Sequence, residues 1–353
     1  MFMEWIESKE AIGAVDAILA GVGLTHGNRK TRAGSWESGE RKKPLRGTRS
    51  ASGKAMLVRA EGWERQAWLQ HGFSTRLAGV SEVYGPGEMN LGWTASDDPA
   101  LVAENRRRLV KEIAGARSGA HLVTLRQVHS GVVRIIEQND GALEGKLETV
   151  DGKAVLRSDG MMTDVPGVLL GVQVADCVPV LVADRKKKVV AAFHAGWRGT
   201  LGRIVERGIG RMRLRYGSQP EDLIAAIGPS IGACCYSVGE EVRHEFESQL
   251  AYAPQLFSEV YDSDPVKEKY PLLFLTARAP GHSNIGPQTH LDLWEANRRQ
   301  LLDAGLRGKN ISVIGECTAC TRIKNGRLKY YSHRGESGFA GRMMGVIGIE
   351  PSR

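Results

Sequence analysis

The segment "PGVLLGVQVADCVPVLVADRKKKVVAAFHAGWRG", residues 166–199, constrains the fold more than any other part of the chain. Its first run, 166–174, is almost continuously apolar. A strand is apolar at nearly every position only when both of its faces are buried. Two further β-rich runs, Val178–Ala183 and Val189–Phe193, flank the charged turn "DRKKK" at 184–188. That length is ordinary for a hairpin connection. With Ala183 paired to Val189, Val178 falls opposite His194 and Cys177 opposite Ala195. Cys177 and His194 then share the open end of the hairpin. Opposed Cβ atoms lie ~5 Å apart and diagonal ones ~7 Å, so a small bend lets the two side chains meet. The glycines of "HAGWRG" supply the freedom to bend.

Periodicity extends this frame. Apolar spacing and an early Pro predict a helix over 99–115. A second helix is expected over 200–217, capped by Thr200 and closed by Gly217. Two more are expected over 238–250 and 290–305, the last opened by His290 and Asp292 in capping roles. Strands are expected at 121–128, 131–136, 311–316, 328–334 and 341–349. Helices and strands mix without strict βαβ alternation. The expected class is α/β (α+β), with mixed sheets in one large domain.

Residues 1–56 carry 10 Lys and Arg against 6 Asp and Glu, and the stretch 29–54 is rich in Gly and Ser without periodicity. They are expected to form a disordered basic extension, leaving 57–353 as the folded domain. That extension holds half of the net charge of +8, so the basic balance does not argue for a nucleic-acid partner. No apolar run reaches the ~18 residues of a membrane helix. Glu4, Glu7 and Glu10 sit where a secretory signal needs positive charge. Five cysteines give no disulfide framework. A cytoplasmic protein is expected.

Cys177 and His194 at strand ends suit two chemistries. One is a thiolate nucleophile activated by imidazole. The other is a metal site, for which His129 in "RQVHSG" offers a third ligand, leaving one position open as in catalytic zinc sites. Cys317 and Cys320 form a C-x-x-C with no second pair at zinc-ligand spacing, and Cys234–Cys235 precede a helix. Both pairs read as structural thiols. The loop "SHRGESGFAGR" (332–342) either holds an anion on backbone N–H groups and two Arg, or is a tight connection between strands.

"HGFSTRLAGVS", "NLGWTASDDPALVAENRRRL", "TLRQVHSG", "MMTDVPGVLLGVQVADCVPVLVAD", "VAAFHAGWRGT", "IGPSIGACCYSVGEEV", "HLDLWEANRRQL" and "SHRGESGFAGRMMGVIGI" occur in an order that resembles the YfiH family, over about residues 65–349. That family also carries the names polyphenol oxidase laccase domain, peptidoglycan editing factor and purine nucleoside phosphorylase. The resemblance implies a mixed-sheet sandwich and a zinc enzyme. It would phosphorolyse adenosine, inosine, guanosine and methylthioadenosine with phosphate as co-substrate, and deaminate adenosine. It implies His129, Cys177 and His194 as metal ligands, and Arg76 of the S-T-R motif, with Cys177, as catalytic. Asn90, Asp159 and Arg334 are the candidate substrate contacts, though Asn90, Asp159 and Gln127 could instead orient the ligands. Gln127 also lies in a motif segment, and Trp197 either stacks on a base or covers the metal end. Ala78, Gly335 and Ala340 depart from the family pattern and put the C-terminal loop's substrate contacts in question.

Rival readings are a copper-dependent polyphenol oxidase, a Cys–His hydrolase, an editing enzyme for peptidoglycan precursors and a binding module without activity. Nine histidines are few for a multicopper centre. Expected partners are purine nucleosides and phosphate, with no nucleic acid and no membrane, in a monomer or weak homodimer.

Overall fold

The computed structural model describes residues 48–49, 55–116, 119–260 and 288–351. Most of the basic segment 1–56 lies outside the described residues. Its end does not. β1 (Thr48–Arg49) pairs antiparallel with β2 (Ala55–Val58), so the sheet begins within that segment.

Two six-stranded sheets form the body. The first runs β1, β2, β3 (Leu69–Ser74), β15 (Met343–Ile349), β8 (Val168–Val174), β5 (His121–Thr124). The second runs β14 (Ile311–Val313), β11 (Leu223–Ile227), β9 (Val178–Asp184), β10 (Val189–Ala195), β7 (Gly160–Thr163), β6 (Val133–Ile135). Each sheet is mixed. β5 is parallel to β8, β14 to β11 and β6 to β7, while the remaining pairs are antiparallel. A two-stranded ribbon joins β12 (Phe257–Val260) to β13 (Gln288–Leu291), while β4 (Leu77–Ser81) and helix α4 (Glu240–Gln249) belong to none of these sheets.

The sheets are layered by period-2 burial. Val168, Leu170 and Val172 of β8 share one core with Leu181 and Ala183 of β9 and Val190 and Ala192 of β10. Val180 and Val182 and Ala191 and Phe193 point the other way, onto α3 (Ile204–Tyr216) and α5 (Leu293–Asp303). Leu169 of β8 instead meets Leu109 and Ile113 of α1 (Pro99–Ala114). Both faces of the central strands are therefore covered, which is why their sequence is apolar throughout.

Several local expectations shift. The helix foreseen at 200–217 is two helices, α2 (Trp197–Leu201) and α3, broken at Arg203 with φ 54°. Thr200 is buried inside α2, where its hydroxyl donates to Ala195 O at 3.4 Å, rather than capping. Asp292 does cap α5, accepting from Glu295 N at 2.9 Å, but His290 belongs to β13. Residues 328–334 form no strand: the ladder there is a single bridge between Leu328 and Arg322.

The hairpin is the most consequential correction. Asp184, not Ala183, pairs with Val189, and His194 faces Pro179. This register is one residue from the expected one. In a strand such a slip moves a side chain to the opposite face. Under the expected register Cys177 and His194 would sit on opposite faces. In the observed one both point into the inter-sheet layer, as diagonal neighbours.

Candidate metal centre

His129, Cys177 and His194 converge, with ligand atoms all within 4.8 Å of one another. Cys177 Sγ lies 3.9 Å from His129 Nε2, and the two imidazole centroids are 5.0 Å apart. Each ligand comes from the edge of a different element: His129 from the loop after β5, Cys177 from the bend before β9, His194 from the end of β10. Gly196 closes the site. A Cβ there would lie 2.8 Å from Cys177 Sγ and 3.4 Å from His129 Cδ2, so no side chain fits.

The backbone is strained at two points. His129 has φ 58° and Asp176, beside Cys177, has φ 89°. Such conformations cost ~1–3 kcal/mol each for non-glycine residues and persist only where the surroundings hold them. Here the surroundings do. Asp176 Oδ1 accepts from Thr318 Oγ1 at 2.6 Å and Oδ2 from Arg334 N at 2.6 Å. The His129 turn is held by Asp159.

Asp159 is wholly buried just before β7. Its Oδ1 accepts from His129 N and from His194 Nδ1, both at 2.9 Å. Its Oδ2 accepts from Ser130 N at 2.6 Å and Ser130 Oγ at 2.8 Å. Expected to orient either substrate or ligands, Asp159 has both oxygens committed to the turn carrying His129 and to the His194 ring. This contact suits the Nδ1–H tautomer of His194, in which Nε2 is the nitrogen available to the cluster. Ser130 escaped the sequence reading, although its place beside His129 in "RQVHSG" was a usable signal.

Electrostatics reinforce the geometry. Burial opposes ionisation of the Cys177 thiol, but the adjacent His194 and His129 imidazoles outweigh it and bring it down to about 6. Burial likewise disfavours charged His194, while Cys177 and Asp159 raise it to about 9. Burial pushes Asp159 up, yet hydrogen bonds from His194 and Ser130 hold it at about 2. The cluster thus favours a thiolate, the form that binds a soft divalent ion.

The other expected site residues separate into two groups. Arg334 is exposed, its N bonded to Asp176 beside Cys177, with Nη1 donating to Ser237 O at 2.7 Å and the guanidinium over Tyr236 at 5.5 Å. Tyr236, overlooked in the sequence, is driven up to about 12 by burial and by the nearby Cys177. Trp197 is half-buried with Arg198 stacked on it at 4.2 Å. Arg76 and Asn90, by contrast, are held among residues of the fold. Arg76 is buried and pairs with Glu88 at 2.5 Å and Glu336 at 2.9 Å, and its guanidinium lies 4.5 Å from the Tyr331 ring centroid. Through Glu336, which accepts from Ser332 N, it anchors the 332–340 loop. Asn90 is fully buried. Its amide bonds Asp97, Gly92 and Arg342 N, tying a turn to the start of β15.

Residues 70–350 match the family described as multi-copper polyphenol oxidoreductase laccase. The chain belongs to this family, the YfiH family. It is 34% identical over 295 residues to "Purine nucleoside phosphorylase YlmD" of Geobacillus stearothermophilus, covering 81% of this chain and 95% of that protein. It is 32% identical over 253 residues to "Adenosine deaminase RL5" from an unknown prokaryotic organism, covering 70% of this chain and 84% of that protein. The crystal structure of Bacillus licheniformis hypothetical protein YfiH superposes with a TM-score of 0.65 at 29% identity, covering 83% of this chain and 96% of that one. The YfiH fold is accordingly the fold of this chain, a mixed α/β sandwich.

Proposed function

We propose that this YfiH-family chain is a zinc-dependent purine nucleoside phosphorylase. In this reading it acts on adenosine, inosine, guanosine and methylthioadenosine, with a second activity as an adenosine deaminase. The observation that carries the reading is the His129–Cys177–His194 cluster with its Asp159 support. Two imidazoles and a depressed thiol, with a buried carboxylate behind one imidazole, are a zinc donor set that leaves a coordination position open. The two activities are those for which the relatives are named. A zinc ion held there would supply Lewis-acid polarisation at the reacting centre.

The chain's own residues then divide the remaining work. In phosphorolysis one phosphate oxygen bonds to ribose C1′ as the glycosidic C–N bond breaks, and the electron pair leaves on the purine, which takes up a proton. Arg334 suits the phosphate dianion, being exposed and bonded through its N to Asp176 beside Cys177. Arg76 does not, because its guanidinium is engaged by two carboxylates. Trp197 and Tyr236 offer aromatic surface for the purine. In deamination a water adds at C6 and ammonia departs from the same carbon.

Copper chemistry has the family description on its side. A multicopper centre, however, needs further imidazole clusters. Among the described residues the one other grouping of metal-ligating side chains is made of cysteines alone.

The test is metal analysis of the purified protein with an assay of adenosine, with and without phosphate. Phosphate-dependent release of adenine, abolished by chelation and restored by zinc, is expected. Full activity in metal-free protein, or activity on phenols with copper and none on nucleosides, would overturn the reading.

A further inference from the structure

Four of the five cysteines take no part in the site described above. Cys234 and Cys235 are adjacent, and Cys317 and Cys320 lie more than eighty positions downstream. The fold joins them. Ser230 and Cys317 form a parallel bridge, with Thr318 N donating to Ser230 O at 3.0 Å. Each segment then turns tightly: Cys235 N donates to Gly232 O at 2.9 Å, and Thr321 N to Cys317 O at 3.0 Å.

The two turns aim all four thiols at one point. Their sulfurs lie within 4.8 Å of one another, and Cys234 Sγ is 3.7 Å from Cys320 Sγ. None is in a disulfide. A tetrahedral ion with thiolates at ~2.3 Å sets its sulfurs about 3.8 Å apart. The observed spacing is of that size. An iron–sulfur cluster must fit several irons and sulfides between its thiolates and needs a wider cage. Gly232 N donates to Cys317 Sγ at 3.3 Å, a bond that favours sulfur in its charged form. A Cβ on Gly232 would come within 2.9 Å of the Trp294 ring and 3.3 Å of Cys234 Sγ, so the approach of the turn requires glycine. Cys317 is buried, while Cys234 and Cys320 are exposed, which gives an ion a way in.

We propose that Cys234, Cys235, Cys317 and Cys320 form a tetrathiolate site for one zinc ion, separate from the His129–Cys177–His194 cluster. Spacing in the sequence hides it, because the partner of the C-x-x-C is an adjacent pair rather than a second C-x-x-C. The coordination is closed, so the site is structural. It clamps two loops onto Asp176: Ile231 N donates to Asp176 O at 2.9 Å, and Thr318 Oγ1 to its carboxylate at 2.6 Å. Thr318 sits inside the C-x-x-C. The ion therefore holds the strained residue that precedes Cys177.

This inference stands apart from the phosphorylase reading, and its test counts metal rather than turnover. Protein produced with excess zinc and then dialysed should hold two zinc ions per wild-type chain. Cys177→Ala, which removes a ligand of the other cluster, should keep one. The Cys234→Ser/Cys320→Ser double variant should lose one and melt at a lower temperature. Cobalt-loaded Cys177→Ala should show the intense sulfur-to-cobalt absorption of four thiolates. The proposal is overturned if folded Cys177→Ala, checked by circular dichroism, binds neither zinc nor cobalt. It is equally overturned if reduced, freshly prepared wild-type protein forms a Cys234–Cys320 disulfide in place of taking up the second ion.

Discussion

Asp159 Oδ1 lies 2.9 Å from His194 Nδ1, and the same carboxylate receives the backbone N–H groups of His129 and Ser130. One buried side chain thus orients one candidate ligand and shapes the turn that carries another. Replacing it with Asn keeps the volume but offers the turn an NH2 group where acceptors are needed. Asp159→Asn is expected to weaken zinc binding by roughly 10–100-fold, the usual effect of losing a carboxylate behind a ligating histidine. Competition against a zinc chelator measures it; unchanged affinity would show that Asp159 merely packs.

Cys177 separates a ligand from a nucleophile. As a ligand, its change to Ser should lower zinc content and activity together, because a hydroxyl is a poor zinc ligand. As a nucleophile it should lose activity and keep its metal. The linked loss is expected, read from zinc per chain and adenine release on the same preparation.

Arg76 and Arg334 should behave differently. Arg76→Met breaks buried pairs with Glu88 and Glu336 and leaves carboxylates uncompensated, at a cost of about 3–5 kcal/mol. Its signature is a lower melting temperature with KM for phosphate little changed. Arg334→Ala should raise KM for phosphate several-fold with the melting temperature nearly intact. Reversal of the two patterns would assign the anion to Arg76.

His71 sets a pH limit on stability away from the candidate site. It is buried in β3, and Ala60 N donates to its Nε2 at 3.1 Å. Burial and nearby Arg59 lower its pKa from 6.5 to about 3. Between these values the unfolded chain binds a proton that the folded chain does not. Its contribution is therefore complete above pH 6.5 and is lost as pH falls toward 3, by about 1.4 kcal/mol per pH unit. His71→Gln should flatten the acid limb of a stability–pH curve by about one proton. Parallel curves for the two proteins would refute this.

The N-terminal segment allows a graded cut. Composition argues that deletion of residues 1–46 is tolerated. Deletion through Met56 removes β1 and half of β2, including the buried Met56 side chain, and should lower the melting temperature. Equal stability of the two truncations, measured by thermal melts, would show that β1 and the start of β2 add nothing.

Much of this protein was legible in its sequence because the information was local. The run 166–174 announces a strand buried on both faces, and 178–183 with 189–193 a hairpin, since a strand reveals its faces residue by residue. Cys177 and His194 can be named because they flank strands of the hairpin, and His129 because it lies between two strand-like runs. The same one-dimensional reading failed where distance along the chain carries no signal. A hairpin register one residue off changes no composition, yet it decides whether Cys177 and His194 share a face. Arg76, Asn90 and Asp159 carry polarity suited to several roles, and only packing shows that Glu88, Asp97 and His194 are their neighbours. Cys234–Cys235 and Cys317–Cys320 are unremarkable pairs until the bridge between Ser230 and Cys317 sets them side by side. Sequence fixes what each residue can bind; only the tertiary structure decides which partners reach it first, because those partners come from strands and turns far apart in the chain.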